Sequence, residues 1–215
     1  MTLANWRKNK LIEFRINSLY YFSHKNNIDL ILDHGILPKN DVNYQSLEST
    51  SFADEDVQAR RHDRRIRISD GTDRFYNIHD LVPTYLTPRT PTLYARRDIQ
   101  NDIFFCIIKS FVLCGRDFAF SDGNAGSSAT NFFYSLNQLD KIPMDVIRAE
   151  SWTDFPDGKR QRNAEFLIYP SIPIGEVWRI AVNNNELKNV IHRKISERGL
   201  NTEISIDHNC FFRNR

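Results

Sequence analysis

The chain has 215 residues, 40% of them hydrophobic and 26% charged, with a net charge of +2. That is enough apolar material for a sizeable core and too little excess charge for a protein that wraps nucleic acid along its whole surface. No apolar run reaches membrane-spanning length, and the basic start lacks the apolar stretch of a signal peptide, so a cytoplasmic location with no membrane partner is expected. Cys106, Cys114 and Cys210 are odd in number and unpaired by spacing, which excludes a disulfide framework and a zinc knuckle.

Residues 13–22 are rich in aromatic and apolar side chains and predict a strand. Ser23 to Asn26 break that pattern. Ile28, Ile31 and Leu32 then follow at helical spacing, with Asn26 or Asn27 available as the cap, Asp29 in the first turn and Gly35 placed to stop the helix. His24 therefore falls at a strand-to-helix junction, where free amide donors suit a phosphate or amide-bearing ligand. Residues 39–56 are polar and irregular, a long loop expected to be anchored by Tyr44 and Phe52. A short basic helix is expected over 57–65, a turn at Asp70 to Thr72, and a strand over 82–87. Beyond it, Pro88 and Pro91 predict an extended exit carrying Arg89 and Tyr94 outward.

Residues 103–108 predict a buried strand and 117–121 another. The small polar residues 121–128 form a loop whose glycines match neither the dinucleotide-fold nor the P-loop spacing. Phe132, Phe133, Leu136 and Leu139 predict a helical stripe directed at the core. A strand follows at 177–182, then a helix lined by Leu187, Val190, Ile191 and Ile195 and ended by Gly199, and a last strand near 202–206. Strands and helices mix without a βαβ repeat, so the expected class is α+β, in one domain over 1–215.

The stretch 160–170 is where chemistry is expected. Ala164, Phe166 and Ile168 alternate with Glu165, Leu167 and Tyr169, so Glu165 stands mid-strand on the face opposite the first set. A carboxylate there is at a rim, bridged to an arginine, or facing a cleft. Basic residues crowd nearby segments: Arg60, Arg61, Arg64, Arg65, Arg67 and Arg74, then Arg89, Arg96 and Arg97, then Arg148, Lys159, Arg160 and Arg162. Interleaved with Tyr and Phe, they point to a phosphate-bearing or polyanionic ligand.

Five segments in this order resemble the DarT family, which transfers ADP-ribose from NAD to single-stranded DNA. They are Tyr-Phe-Ser-His-Lys-Asn-Asn-Ile-Asp-Leu-Ile-Leu-Asp-His-Gly at 21–35, Val-Gln-Ala-Arg-Arg at 57–61, Val-Pro-Thr-Tyr-Leu-Thr-Pro-Arg-Thr-Pro at 82–91, Ser-Asp-Gly-Asn-Ala at 121–125 and Ala-Glu-Phe-Leu-Ile at 164–168. The resemblance implies a mono-ADP-ribosyltransferase fold, a split antiparallel sheet with NAD in its cleft and helices packed outside. It implies NAD as co-substrate with no metal, a thymine or guanine base as target, and an antitoxin partner that reverses the mark, such as a DarG-like macrodomain. Position by position it makes Glu165 and Arg61 catalytic. It places Ser23, His24, Asn27, Gly35, Arg60 and Arg61 at the nucleotide. As basic, polar and aromatic residues suited to a single strand, Tyr85, Arg89, Tyr94, Asn124, Arg160 and Arg162 are expected along the DNA, with Phe133 a further stacking candidate. Tyr21 and Ser23 stand where the commonest form of the first motif has His and Thr.

The chemistry fits these residue types. A carboxylate near the ribose hydroxyls stabilises positive charge that develops as nicotinamide leaves, and it can take the proton of the attacking base nitrogen. The base edge is out of reach inside a duplex, so a single strand is the natural substrate. Two rivals remain at this stage. A nuclease lacks its metal motif, since no Lys follows Glu165 at the required spacing; a non-catalytic nucleic-acid-binding module would bind DNA irrespective of NAD.

Overall fold

The computed structural model describes residues 2–51 and 55–213. It opens with helix α1 (Leu3–Glu13), capped by the Thr2 hydroxyl, which buries Arg7 and Leu11. The expected first strand is correspondingly shorter. Phe14 caps the helix and Arg15 takes a positive φ of 52° in the turn, so β1 runs only over Ser18–His24. After one 3-10 turn comes α2 (Ile28–His34), closed by Gly35 as expected. Its start differs in detail: the His24 ring, not an asparagine side chain, accepts from the Asn26 amide.

The stretch after Gly35 is less irregular than expected, since it contains α3 (Lys39–Tyr44). Tyr44 is 91% exposed and anchors nothing, while Phe52 lies outside the described residues. The basic helix is α4 (Glu55–His62), followed by the small pair β2 (Arg65–Ile66) and β3 (Tyr76–Asn77) with the expected turn between them. Next is β4 (Val82–Tyr85). Pro91 starts the short helix α5 (Pro91–Tyr94) under a Thr90 cap instead of prolonging an extended exit, because proline is pre-set for a first helical position.

The strands β5 (Ile103–Lys109) and β6 (Asp117–Ser121) fall where the sequence places them. Phe132 and Phe133 do not join a helix. They form β7 (Phe132–Phe133) on the edge of β6, and Leu136 and Leu139 reach the core from a separate 3-10 turn. Then follow α6 (Met144–Arg148), α7 (Gly158–Gln161), β8 (Glu165–Tyr169), β9 (Val177–Val182), α8 (Asn185–Glu197) and β10 (Glu203–Ile206). None of the helices among the described residues is long and apolar enough to cross a membrane.

Eight strands form one sheet in the order β10-β9-β5-β1-β4-β8-β6-β7, antiparallel except for the β10–β9 pair. The sheet is split in the expected sense. β1 and β5 pair over seven positions and β4 and β8 over four, whereas β1 and β4 meet at the single pair Tyr20–Tyr85. One face carries the main core, where Phe104, Phe118, Phe120, Phe166 and Ile180 pack against Leu11, Ile31, Leu187 and Ile191 of α1, α2 and α8. The other face carries two smaller clusters, one around Phe22, Phe105 and Phe211 on the β1 half, one around Ile68, Ile78 and Leu167 on the β8 half. Between them lies the junction of the halves.

Gly35 is explained by this packing. Its φ is +77°, and a Cβ there would stand 2.5 Å from the Ile172 carbonyl oxygen, where Ile36 and Ile172 pair as an isolated bridge. Gly35→Ala is expected to cost about 1–3 kcal/mol of stability, read as a lower midpoint in urea denaturation.

Candidate active site

Residues directly opposite in antiparallel strands share a face. Glu165 on β8 opposes Tyr85 on β4, which opposes Tyr20 on β1, so the three form a row across the junction of the two sheet halves. Glu165 is only 1% exposed. Arg61 of α4 meets it with two nitrogens: Nη1 donates to Oε1 at 3.0 Å and Nη2 to Oε2 at 3.2 Å, with a longer Nη1–Oε2 contact of 3.4 Å. The Ala125 amide donates to Oε1 at 2.9 Å. Glu165 is the first residue of β8 rather than mid-strand, because Ala164 ends the preceding turn, and of the three settings expected for this carboxylate the structure has the arginine bridge.

Burial works against the Arg61 charge, yet the Glu165 carboxylate, by charge and hydrogen bond together, leaves the guanidinium pKa raised. The same low-dielectric setting pushes the Tyr85 phenol up to about 12, burial first and the Glu165 charge second, so it stays a neutral hydroxyl. Tyr85 stacks on Phe22 at 5.6 Å with planes 21° apart. Both rings thereby pack at the junction of the sheet halves beside Glu165.

A second layer fixes this centre. The Ser121 hydroxyl accepts from the Glu165 amide at 3.2 Å and donates to the Gly123 carbonyl at 2.7 Å, tying β8 to the loop that carries Ala125. Arg64 donates to the carbonyls of Ala125 at 3.2 Å, of Thr130 at 2.9 Å and of Ser127 at shorter range, and Arg60 donates to Gly126 at 3.3 Å. Arg160 braces the loop from the other side, on Asp122 at 2.6 Å, Asp157 at 2.7 Å and Thr130 at 3.2 Å. Asn124 is internal to the loop, its side chain accepting from the Gly126 amide at 2.8 Å. Arg60, Asn124 and Arg160 are thus engaged in shaping the loop.

The other residues singled out in the sequence are dispersed around this centre. Ser23 points away from the Glu165 face and accepts from Asn27 at 2.9 Å. Asn27 also clasps the Thr50 backbone in both directions, at 2.7 and 2.8 Å, and so holds the segment between α3 and α4 against β1. His24, half-buried at the end of β1, is on the same face as Tyr20 and Phe22. Gly35 serves the turn described above. Arg89 is exposed, and Tyr94 is 40% exposed, edge-on to Trp152 and Phe212 with Arg97 4.4 Å over its ring. Phe133 packs on Phe120 in the core, and Arg162 is buried against backbone carbonyls. Among the described residues no three His, Cys, Asp or Glu side chains are grouped to hold a metal ion.

His79 escaped the sequence analysis, in which nothing distinguishes it from a surface histidine. It is buried on the turn beside α4, with its ring 6.0 Å from that of His62 and its Nε2 without a partner. Burial, then Lys39, Arg61 and His62, push its pKa down to about 4. The small polar loop at 121–128 is expected from its sequence to leave backbone amides open to a ligand, but the amide of Ala125 is taken by Glu165.

A family model described as "ssDNA thymidine ADP-ribosyltransferase, DarT" matches residues 20–212. The chain belongs to the DarT family. A DNA ADP-ribosyl transferase from Thermus sp. strain 2.9 is 28% identical over 173 residues, covering 76% of this chain and 80% of that protein. A fusion of DNA ADP-ribosyl transferase and DNA ADP-ribosyl glycohydrolase from Thermosipho africanus is 27% identical over 192 residues, covering 86% of this chain and 47% of that protein. The fold matches Thermus sp. 2.9 DarT in complex with ADP-ribosylated ssDNA, with a TM-score of 0.80 at 24% identity over 92% of this chain and 97% of that one. It also matches Thermus sp. 2.9 DarT in complex with NAD+, with a TM-score of 0.75 at 22% identity over 92% and 98%. These likenesses establish the DarT fold for this chain.

Two measurements check the site. Breaking a buried ion pair from one side leaves an uncompensated charge, so Glu165→Gln is expected to lose about 3 kcal/mol of stability, and Arg61→Met added to it to recover most of that loss in urea denaturation. The second concerns His79. The unfolded chain takes up its proton near pH 6.5 and the folded chain not until about pH 4, so stability contributed by the neutral ring is fully present above pH 6.5 and declines as pH falls through that window. His79→Gln is expected to flatten the slope of stability against pH between 5 and 6.5.

Proposed function

We propose that this chain transfers one ADP-ribosyl group from NAD to a thymine base of single-stranded DNA within one catalytic domain. The observation that carries this is Glu165, held by Arg61 and the Ala125 amide at the junction of the split sheet, in a chain whose family is described by that activity. NAD, as co-substrate, supplies a glycosidic bond to a positively charged leaving group.

The remaining steps belong to the chain. Nicotinamide leaves with the electrons of its bond to the ribose, and positive charge builds on the sugar. Glu165, fixed in direction by Arg61, stabilises that charge and orients the ribose hydroxyls. The base nitrogen forms the new bond to the ribose carbon and gives up its proton to Glu165. Tyr85, neutral and stacked on Phe22, provides a dry aromatic wall for the reacting groups. His24 and Arg60, with the Ser23–Asn27 pair supporting the junction, line the nucleotide side; Arg89 and Tyr94 are the exposed candidates for the DNA strand. Arg61 acts through Glu165 and is a positioning residue in this scheme, with Gly35 and Arg162 serving the scaffold.

The natural partner is an enzyme that removes the mark. The Thermosipho fusion protein carries a transferase and a glycohydrolase in one chain, and the same pairing makes this chain the toxin of a toxin–antitoxin system acting on cytoplasmic DNA.

Mass spectrometry of single-stranded oligonucleotides of restricted base content, incubated with the protein and NAD, tests the proposal. A gain of one ADP-ribose on thymine-containing strands is expected, lost with Glu165→Ala. Addition to guanine-only strands would reassign the base, and no addition to any strand would leave the binding module. Arg61→Ala is expected to impair turnover of NAD more than DNA binding, and the reverse order in a binding assay would move Arg61 to the DNA.

A further inference from the structure

A cavity of about 620 Å³ opens beside the catalytic row, between the turn before β1, the segment after β4 and α6. Its wall holds four guanidinium groups, those of Arg15, Arg89, Arg148 and Arg162, and one carboxylate, Glu150. Tyr20 lines it as well, and Tyr20 is the third member of the Glu165–Tyr85–Tyr20 row. Two strand spacings separate its backbone from that of Glu165, about 10 Å.

Two of the arginines are held by backbone carbonyls. Arg162, 3% exposed, donates to the carbonyls of Val146 and Ala149 at 2.7 Å and of Arg89 at 3.2 Å. Arg148 donates to the Phe14 carbonyl at 2.5 Å. Among the described residues none of the four makes an ion pair, although most other arginines near carboxylates do. Burial and the neighbouring Arg89 charge both lower the Arg162 pKa, the mark of like charges kept close in a partly dry wall. Such an arrangement is unfavourable by itself and becomes favourable when a multiply charged anion enters.

We propose that this cavity receives phosphodiester groups of the single-stranded DNA next to the nucleotide whose base lies at Glu165. The inference rests on the substrate reading above and adds the path of the strand: from Glu165, over Tyr85 and Tyr20, into the pocket. Arg15 and Arg148 are exposed at its mouth and contact phosphate, Arg162 sets the charge of the wall from within, and Glu150 limits affinity. The pyrophosphate of NAD is the other anion of the reaction, and the experiment separates the two.

Fluorescence anisotropy of a labelled thymine-containing strand is measured over a range of salt with the full chain, without NAD so that no turnover occurs. The same chain then carries Arg15→Gln with Arg148→Gln, or Glu150→Gln alone, and NAD binding to each is read by calorimetry, with circular dichroism confirming the fold. The double variant is expected to bind DNA at least about tenfold more weakly and to lower the slope of log affinity against log salt by about 1.4, for two lost phosphate contacts. Glu150→Gln is expected to tighten DNA binding, and NAD affinity to stay within about twofold throughout. DNA binding that keeps its strength and slope in the double variant overturns this inference alone. Loss of NAD affinity in step with the arginines assigns the pocket to the pyrophosphate and overturns it as well. No DNA binding by the parent overturns the substrate reading and the inference together.

Discussion

The Arg61–Glu165 ion pair is the constraint on which the arrangement of this molecule turns. Two opposite charges buried at the junction of the sheet halves carry a desolvation cost that their attraction offsets only with good geometry and further hydrogen bonds. Both conditions are met by elements distant in sequence. Arg61 comes from α4, Glu165 from the first residue of β8, and the Ala125 amide from the loop after β6. Because Arg60 and Arg64 of the same helical region hold carbonyls of that loop, and Arg160 holds it from behind, α4, the loop and β8 form one mutually dependent unit. Altering any of the three would move the carboxylate.

The split of the sheet provides the space in which that unit works. β1 and β4 touch at Tyr20–Tyr85 and nowhere else in register, so the apolar clusters on that face are separate, one on each half. A continuous sheet would close the gap with side chains. Leaving it open places Glu165, Tyr85 and Phe22 at the border of two small cores, where the dielectric is low and fixed charges act strongly on a reacting group. The elevated pKa of Tyr85 is a local sign of that environment.

Most of the sheet is legible in the sequence because β5, β6 and β8 are short apolar runs buried on both faces and β9 is a mostly apolar one, bounded by turn residues, and the helix before Gly199 has a clear apolar stripe. α1 is not, since the turn at Arg15 that separates it from β1 depends on a left-handed backbone conformation no glycine announces. Phe132 and Phe133 illustrate a different limit: their spacing to Leu136 and Leu139 suits a helix, yet edge pairing with β6 decides the outcome. At the site, a carboxylate in an apolar stretch and a cluster of arginines are visible as residue types. Which arginine pairs with the carboxylate is not, because Arg61 and Glu165 are 104 positions apart, and neither is the role of Ala125 or His79. Arg160 and Arg162, read from the sequence as free charges, are internal braces, since carbonyls and aspartates of neighbouring loops reach them first.

The saturation of Glu165 bears on the role proposed for it. Its two oxygens accept four contacts, three from Arg61 and one from Ala125, which is about the full capacity of a carboxylate. A ribose hydroxyl or a base N–H can join only by replacing one of them. The Nη1–Oε2 contact at 3.4 Å is the longest, and Nη1 keeps its 3.0 Å bond to Oε1 when that contact opens, so Oε2 can turn to substrate without exposing an unpaired charge. Oε1, fixed by the Ala125 amide, then holds the direction of the group while Oε2 works. In the proposed reaction one carboxylate thereby combines a pinned oxygen for positioning with a yielding oxygen for the proton, and the loop amide, more than the arginine, decides which is which.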